Sequence, residues 1–472
     1  MGSTAPPHVG RRIVANYTND FPRVDWAGYI RLLLRTNHSR FASHVRRIRN
    51  TAYPQHSVQR GRRNIIVDEA RVHKATAVQG WTLVSTTWLS VIATAVVGPV
   101  LPRISEHFHD DAHVAVMVSF VATLPGLFVA LLAAPAGILA DRVGHRRLLL
   151  AGVSLYGFLG TAPLWLNSLG SIVTSRAGVG IMEAVILTCS NALIADYFQG
   201  DEREKWLAYE TGTATIVAII MVSIGGALGE SSWRYPFFMY ALGFILVPLV
   251  VAFTWEPRTT SGSAVERESS HGQNEHDEGE EFHWNKLLWI CAITVFASTA
   301  FFVVMVQLGF LLTQRGYASP RLIGMGAAIS ALAFPVGAVI FRVLRVPVAA
   351  KLALSFAFSA AGFYIVALSH TYSVTILGAT VNGLGCGMVL PTLITWALST
   401  LPPTVRGRGT GAWQTAMFLG QFISPLIILG LTHLLGTLSH AVLAYGIACS
   451  AACVFALLFL VRLRGVAPQM AG

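Results

Sequence analysis

Residues 137–150 read GILADRVGHRRLLL. Asp141, Arg142, Arg146 and Arg147 stand between apolar stretches, punctuated by Gly137 and Gly144. So little charge lies on either side that the cluster reads as a short break between two buried segments. The whole chain has this character. Of its 472 residues 54% are hydrophobic and 12% charged, and the mean hydropathy is +0.58. A soluble domain carries about a quarter charged residues. This chain lacks the polar surface to cover itself in water, so its expected solvent is lipid. Cys189, Cys291, Cys386, Cys449 and Cys453 lie in apolar runs without metal-binding spacing, and read as reduced, packed residues.

Working outward from the break, apolar runs of spanning length recur. A transmembrane helix needs roughly 20 apolar residues to cross about 30 Å of hydrocarbon at 1.5 Å per residue. Twelve are predicted, at 79–101, 114–137, 148–168, 170–194, 207–228, 235–255, 287–313, 322–341, 350–369, 374–400, 411–435 and 439–461. Unpaired backbone groups are prohibitive in lipid and no barrel-type alternation is present, so an all-α membrane protein is expected.

Lys and Arg accumulate in cytoplasmic loops. Twenty-nine of the thirty-four fall on the side that carries residues 1–77, and Arg103, Arg234, Arg315 and Arg321 fall on the other. Both termini are therefore expected in the cytoplasm, in a bacterial plasma (inner) membrane. Residues 1–77 alone contribute +10 of the net +11, so topology accounts for the basic balance without nucleic acid as a partner.

The opening stretch recurs weakly. Pro135, Gly137 and Arg142 align with Pro335, Gly337 and Arg342 at one offset of 200. Such a repeat predicts two six-helix halves related by pseudo-two-fold symmetry. The expected organisation is a basic tail (1–77), an N-terminal bundle (78–255), an acidic linker (256–285) and a C-terminal bundle (286–472). Within the tail, residues 24–49 show the spacing of a basic amphipathic helix on the inner membrane surface; an organelle transit peptide is the alternative.

GILADRVGHRR closely resembles the signature between spans two and three of the major facilitator superfamily, Gly-x-Leu-Ala-Asp-Arg-x-Gly-Arg-Arg/Lys. Arg176-x-x-x-Gly180-x-x-x-Ala184 resembles the superfamily's fourth-span signature, and Trp233-Arg234-x-x-Phe237 the start of its sixth span. The likeness covers about 77–465, and bacterial twelve-span drug/proton antiporters are the nearest match. Two positions depart. The antiporter span-five signature Gly-Pro-x-x-Gly-Gly reads MVSIGG at 221–226, and His145 stands where Arg is usual. By this resemblance Gly137, Asp141, Arg142, Gly144, Arg146 and Asp196 form a cytoplasmic gate. Asp141 would face the N-terminus of span eleven near Gly409–Gly411, and Arg146 is placed to pair with Asp196.

The acidic residues narrow the chemistry further. None occurs after Glu281, and Glu183 alone lies mid-span. An ionisable group at that depth is costly and is a functional hypothesis by default. Arg176, two turns earlier on nearly the same face and about 10 Å along the axis, is the proton-relay arginine by resemblance. Glu183 and Arg176 are thus the expected proton-coupling pair, and Glu210 the next candidate. Trp88, Gln307, Asn382 and Trp396 are possible cavity-lining groups, as are Trp413, Gln414 and Gln421. The loop EHFHDDAH at 106–113 reads as a solvated connection, although its acids and histidines could bind a soft divalent metal.

No phosphate loop, nucleotide motif or catalytic triad occurs, so neither enzymatic activity nor a resident cofactor or metal is expected. The expected function is a monomeric secondary active transporter that exports a small organic solute in exchange for protons. The alternative is an uptake symporter or facilitator for an organic anion anchored by Arg176, favoured by the missing Gly-Pro. A non-transporting sensor is a third class.

Overall fold

The computed structural model describes residues 75–257, 284–401 and 406–466. Nearly all of the basic tail, with the predicted surface helix at 24–49, and most of the acidic linker lie outside these.

Among the described residues there is no strand, and twelve helices are long and apolar enough to cross a bilayer. They are α1 (Ala77–His107), α2 (Val114–Val143), α3 (His145–Leu164), α4 (Leu169–Tyr197), α5 (Asp201–Ser231) and α6 (Tyr235–Phe253), followed by α7 (Asn285–Gln314), α8 (Pro320–Val343), α9 (Val348–Leu368), α10 (Tyr372–Thr400), α11 (Gly409–Leu435) and α12 (Leu438–Val461). Several run past their predicted bounds, because polar residues beyond the hydrocarbon still close i→i−4 hydrogen bonds. The charge cluster shows this best. Residues 137–143 are the last two turns of α2, and Gly144 is the whole connection to α3. Gly144 has φ +102°, a conformation L side chains rarely adopt, and a Cβ there would meet the Glu256 carboxylate at 2.9 Å.

Each half has its own apolar core. One gathers buried residues from Leu83 to Val250, joined by Val306. Two others gather residues between Ala297 and Ala456. Between the halves, α2 packs on α11 and α5 on α8. Advancing each helix by six places exchanges these two pairings, as a pseudo-two-fold axis requires. Lipid supplies no hydrophobic drive between helices, so their closest approaches depend on small residues. Gly226 of α5 lies against Gly324 of α8 so tightly that a Cβ on either would stand 2.9 Å from the other's Cα. Gly309 of α7 sits on Pro102 and Gly98 of α1. Both crossings fall toward the bundle end remote from the Arg-rich loops, called the far end below; the opposite end is the basic end.

Candidate functional site

The α1–α4 seam of the N-terminal half holds the mid-span charges. In α1 the Gly98-Pro99 pair ends regular helix at Ala95, leaving carbonyls of the last turn without helical donors. In α2, Pro125 has no N–H to give the carbonyl four residues earlier, that of Val121. Arg176 of α4 serves both breaks. Its Nε donates to the Val121 carbonyl at 3.1 Å, and its Nη2 donates to the Ala93 carbonyl at 2.9 Å and the Tyr240 hydroxyl at 2.6 Å. The guanidinium also lies 4.7 Å from the Tyr240 ring centroid. One turn on, Gly180 lets α4 approach α2 where Pro125 disrupts it; a Cβ would meet the Pro125 oxygen at 2.5 Å. The Arg-x-x-x-Gly spacing thus repairs a broken helix and admits its backbone.

Glu183 is buried in the same seam, and its Oε1 accepts a hydrogen bond from the Ser90 hydroxyl of α1. One turn toward the basic end, Thr86 and Ser190 share a 2.7 Å hydrogen bond. Glu183 Oε2 and Arg176 Nη1 are both buried without a partner. The expected pair is therefore not joined directly: Arg176 is committed to backbone carbonyls and a tyrosine, and Glu183 to a serine.

Between the halves lies a cavity of about 650 Å³, within the usual range for small-molecule sites. Its walls come chiefly from α1, α5, α7, α8, α10 and α11. Gly98, Gly309 and Val222 line the cavity toward the far end, and Thr211 and Gln414 on its basic side are exposed. Ser90 lines it, so the hydroxyl that holds Glu183 is also part of the cavity wall.

Asn382, Trp413 and Gln414 line the cavity, as does Glu210. The other sequence candidates lie elsewhere. Trp88 donates to Thr213 at 3.0 Å, tying α1 to α5. Gln307 is buried off the cavity. Trp396 packs on the core formed by Leu352, Phe356 and Leu393. Gln421 is turned into the α2–α11 contact, where a Cβ on Gly126 would reach its Oε1 at 2.7 Å. Arg176 is also off the cavity, so it offers a ligand there no positive anchor.

Two of the expected gate residues, Asp141 and Arg146, make their described contacts within the N-terminal half. Asp141 Oδ1 lies 3.7 Å from His145 Nε2, across the Gly144 connection, and its side chain is 68% exposed; this described contact, an ion pair only when the imidazole is protonated, is not with span eleven. Arg146 also departs from the expected pairing with Asp196. Its backbone N–H donates to Glu256 Oε2 at 3.0 Å and its Nη2 to the Val251 carbonyl at 2.9 Å, which binds the start of α3 to the end of α6. Gly137 contacts Thr188 at ordinary distance, and Arg142 and Asp196 are exposed.

A carboxylate set on a helix N-terminus across the two halves occurs instead at the far end, and the sequence reading missed it. Glu230 Oε2 accepts from the Ser319 hydroxyl at 2.8 Å and the Arg321 backbone N–H at 3.2 Å, at the first turn of α8. Arg103 donates to the carbonyls of Gly229 and Glu230 at 3.0 and 2.7 Å, and its Nη2 is 3.9 Å from Glu230 Oε1. Ser319-Pro320 was a visible helix start. Nothing local, however, marked the end of α5 as its neighbour. Among the described residues no group of three or more His, Cys, Asp or Glu could hold a metal ion.

Comparison with known proteins follows the same lines. The chain is 21% identical over 352 residues to the Multidrug efflux protein YfmO of Bacillus subtilis, a match that covers 74% of this chain and 84% of the relative. It is 31% identical over 173 residues to the class B Tetracycline resistance protein of Escherichia coli, covering 35% of this chain and 41% of that protein. Among solved structures, a bacterial homologue of the human lysosomal transporter Spinster, inward-facing and occupied, aligns with a TM-score of 0.64 at 15% identity, covering 80% of this chain and 95% of that one. A peptide transporter POT in complex with alafosfalin aligns at 0.63 and 15%, covering 81% and 94%; these two likenesses concern the fold. The family model described as Major Facilitator Superfamily matches residues 83–351 and 288–469. With that match, the twelve-helix fold and the cavity between its halves, the chain belongs to the major facilitator superfamily and is a membrane transporter, not an enzyme.

Proposed function

We propose that this transporter exports a small organic solute across a bacterial plasma membrane in exchange for protons, by alternating access, as a monomer with both termini cytoplasmic. The observation that carries this reading is the Ser90–Glu183 contact. A carboxyl group buried at mid-membrane depth is held by a hydroxyl that itself lines the solute cavity. The loading state of Glu183 then alters a hydrogen bond in the cavity wall, a physical link between proton and solute. The names of the efflux-type relatives support the direction.

In this reading the cavity opens to the cytoplasm. The far end is shut by the Gly226–Gly324 crossing and by Glu230, which Arg103 holds, on the first turn of α8. Asp141, Arg142 and Asp196 belong to the cytoplasmic gate. The network that joins Arg146 to Glu256 holds α3 on α6, so the N-terminal half rocks as one body. Arg176 is a positioning residue that keeps α4, and with it Glu183, in register with α1 and α2.

The test is transport in proteoliposomes with an imposed pH gradient, tried across compound classes. Glu183→Gln keeps size and hydrogen bonding but cannot titrate. It is expected to abolish accumulation against a gradient while downhill exchange survives, and Glu183→Asp to retain partial coupling. Uphill transport by Glu183→Gln at the wild-type rate would make Glu183 a structural group.

A further inference from the structure

The composition of the cavity wall points to a charge class for the solute. Among the described residues that line it, Glu210 is the one ionisable side chain, and none is Lys, Arg or His. Glu210 sits on the α5 wall beside Thr87 of α1, and among the described residues it has no ion-pair partner. The wall opposite is aromatic. Phe301 and Phe334 meet at 4.7 Å between centroids, and Trp413 and Phe418 come from α11. Trp413 Nε1 is buried with no acceptor, which leaves a donor for a polar atom of the ligand. The remaining polar lining, including Ser330 and Asn382, is neutral.

An ionised carboxylate in an apolar-walled cavity needs a counter-charge. Among the described residues none provides one, so a bound cation can. Aromatic faces attract a desolvated cation, ammonium or onium, through the ring quadrupole. An organic anion would meet repulsion from Glu210, and Arg176 lies outside the cavity with its donors on backbone carbonyls.

We propose that the cavity takes a lipophilic organic monocation, a protonated amine or a quaternary onium, with Glu210 as its counter-ion and the aromatic wall on its apolar body. The proposal rests on the reading of this cavity as the transport site. It does not depend on the coupling ion.

Tetraphenylphosphonium and tetraphenylborate are nearly the same size and opposite in charge, which makes them suitable probes. Equilibrium binding of each to the full chain in lipid nanodiscs, without any gradient, is the measurement. Tetraphenylphosphonium should bind saturably, Glu210→Gln should weaken it at least tenfold, and Glu210→Asp should restore part of the loss in a protein of unchanged melting temperature. Tetraphenylborate, titrated separately because the two ions precipitate each other, should show no saturable binding. Failure of the wild-type protein to bind tetraphenylphosphonium, equal affinity in Glu210→Gln, or saturable binding of tetraphenylborate would each overturn the proposal. Proteoliposomes separate it from proton-driven export: Glu210-dependent binding without proton-driven transport removes the export reading and leaves the cation site.

Discussion

Gly226→Ala tests whether backbone contact between α5 and α8 holds the far end shut. The added Cβ would stand 2.6 Å from the Pro320 carbonyl oxygen and 2.9 Å from the Gly324 Cα. Both are backbone atoms and cannot rotate aside, so the two helices must separate locally. Forcing one extra carbon into a packed contact costs about 1–3 kcal/mol. If that strain is relieved when the far end opens, the ratio of open to closed molecules rises by about 5-fold to 160-fold, at RT of about 0.59 kcal/mol. Spin labels at Ala112, in the α1–α2 connection, and Ala318, in the α7–α8 connection, report the separation of the halves at that end. They are placed in a background whose native cysteines are replaced. Gly212→Ala is the control, since it makes the same chemical change in α5 where a Cβ meets nothing within 4 Å. The long-distance population should grow at least fivefold in Gly226→Ala and stay put in Gly212→Ala. Identical distance distributions in the two variants would refute the idea that this crossing holds the closure.

Other expectations are more compact. Arg176→Ala should lower the melting temperature by unpairing carbonyls of α1 and α2. Adding Pro125→Ala, which gives back an N–H to the Val121 carbonyl, should recover part of that loss, with a coupling of about 1 kcal/mol in a double-mutant cycle; strict additivity argues against the repair role. Asp141→Asn removes an exposed contact to His145 and should shift stability by less than about 1 kcal/mol, while solute transport in proteoliposomes falls severalfold; full activity would leave the cluster a plain basic connection. Cysteines at Ala112 and Gln199 should react with impermeant maleimide from opposite sides, Gln199 from the cytoplasm, and labelling of both from one side would refute the charge-based topology.

Much of this molecule is legible along the chain, for identifiable reasons. The number of spans follows from hydrophobic length, since each crossing needs about 30 Å of helix. The mid-span acid is equally plain, because residues 282–472 contain no Asp or Glu. Even the role of Arg176 leaves a trace: Pro125 stands four places after Val121 and orphans its carbonyl. What the chain alone does not determine is how each helix is turned. In lipid a helix is apolar nearly all round, so hydrophobic periodicity does not mark the face that meets protein. Gln414 and Gln421, seven residues apart on one face of α11, therefore look alike in sequence. The packing of α11 on α2 places the first on the cavity and the second against Gly126. For the same reason Glu210 emerged as the single charge among the cavity's described residues, and Glu230 as the cap of α8, only once the halves were brought together. The angle at which they meet is set by contacts such as Gly226 on Gly324, between residues nearly a hundred positions apart that no local pattern relates.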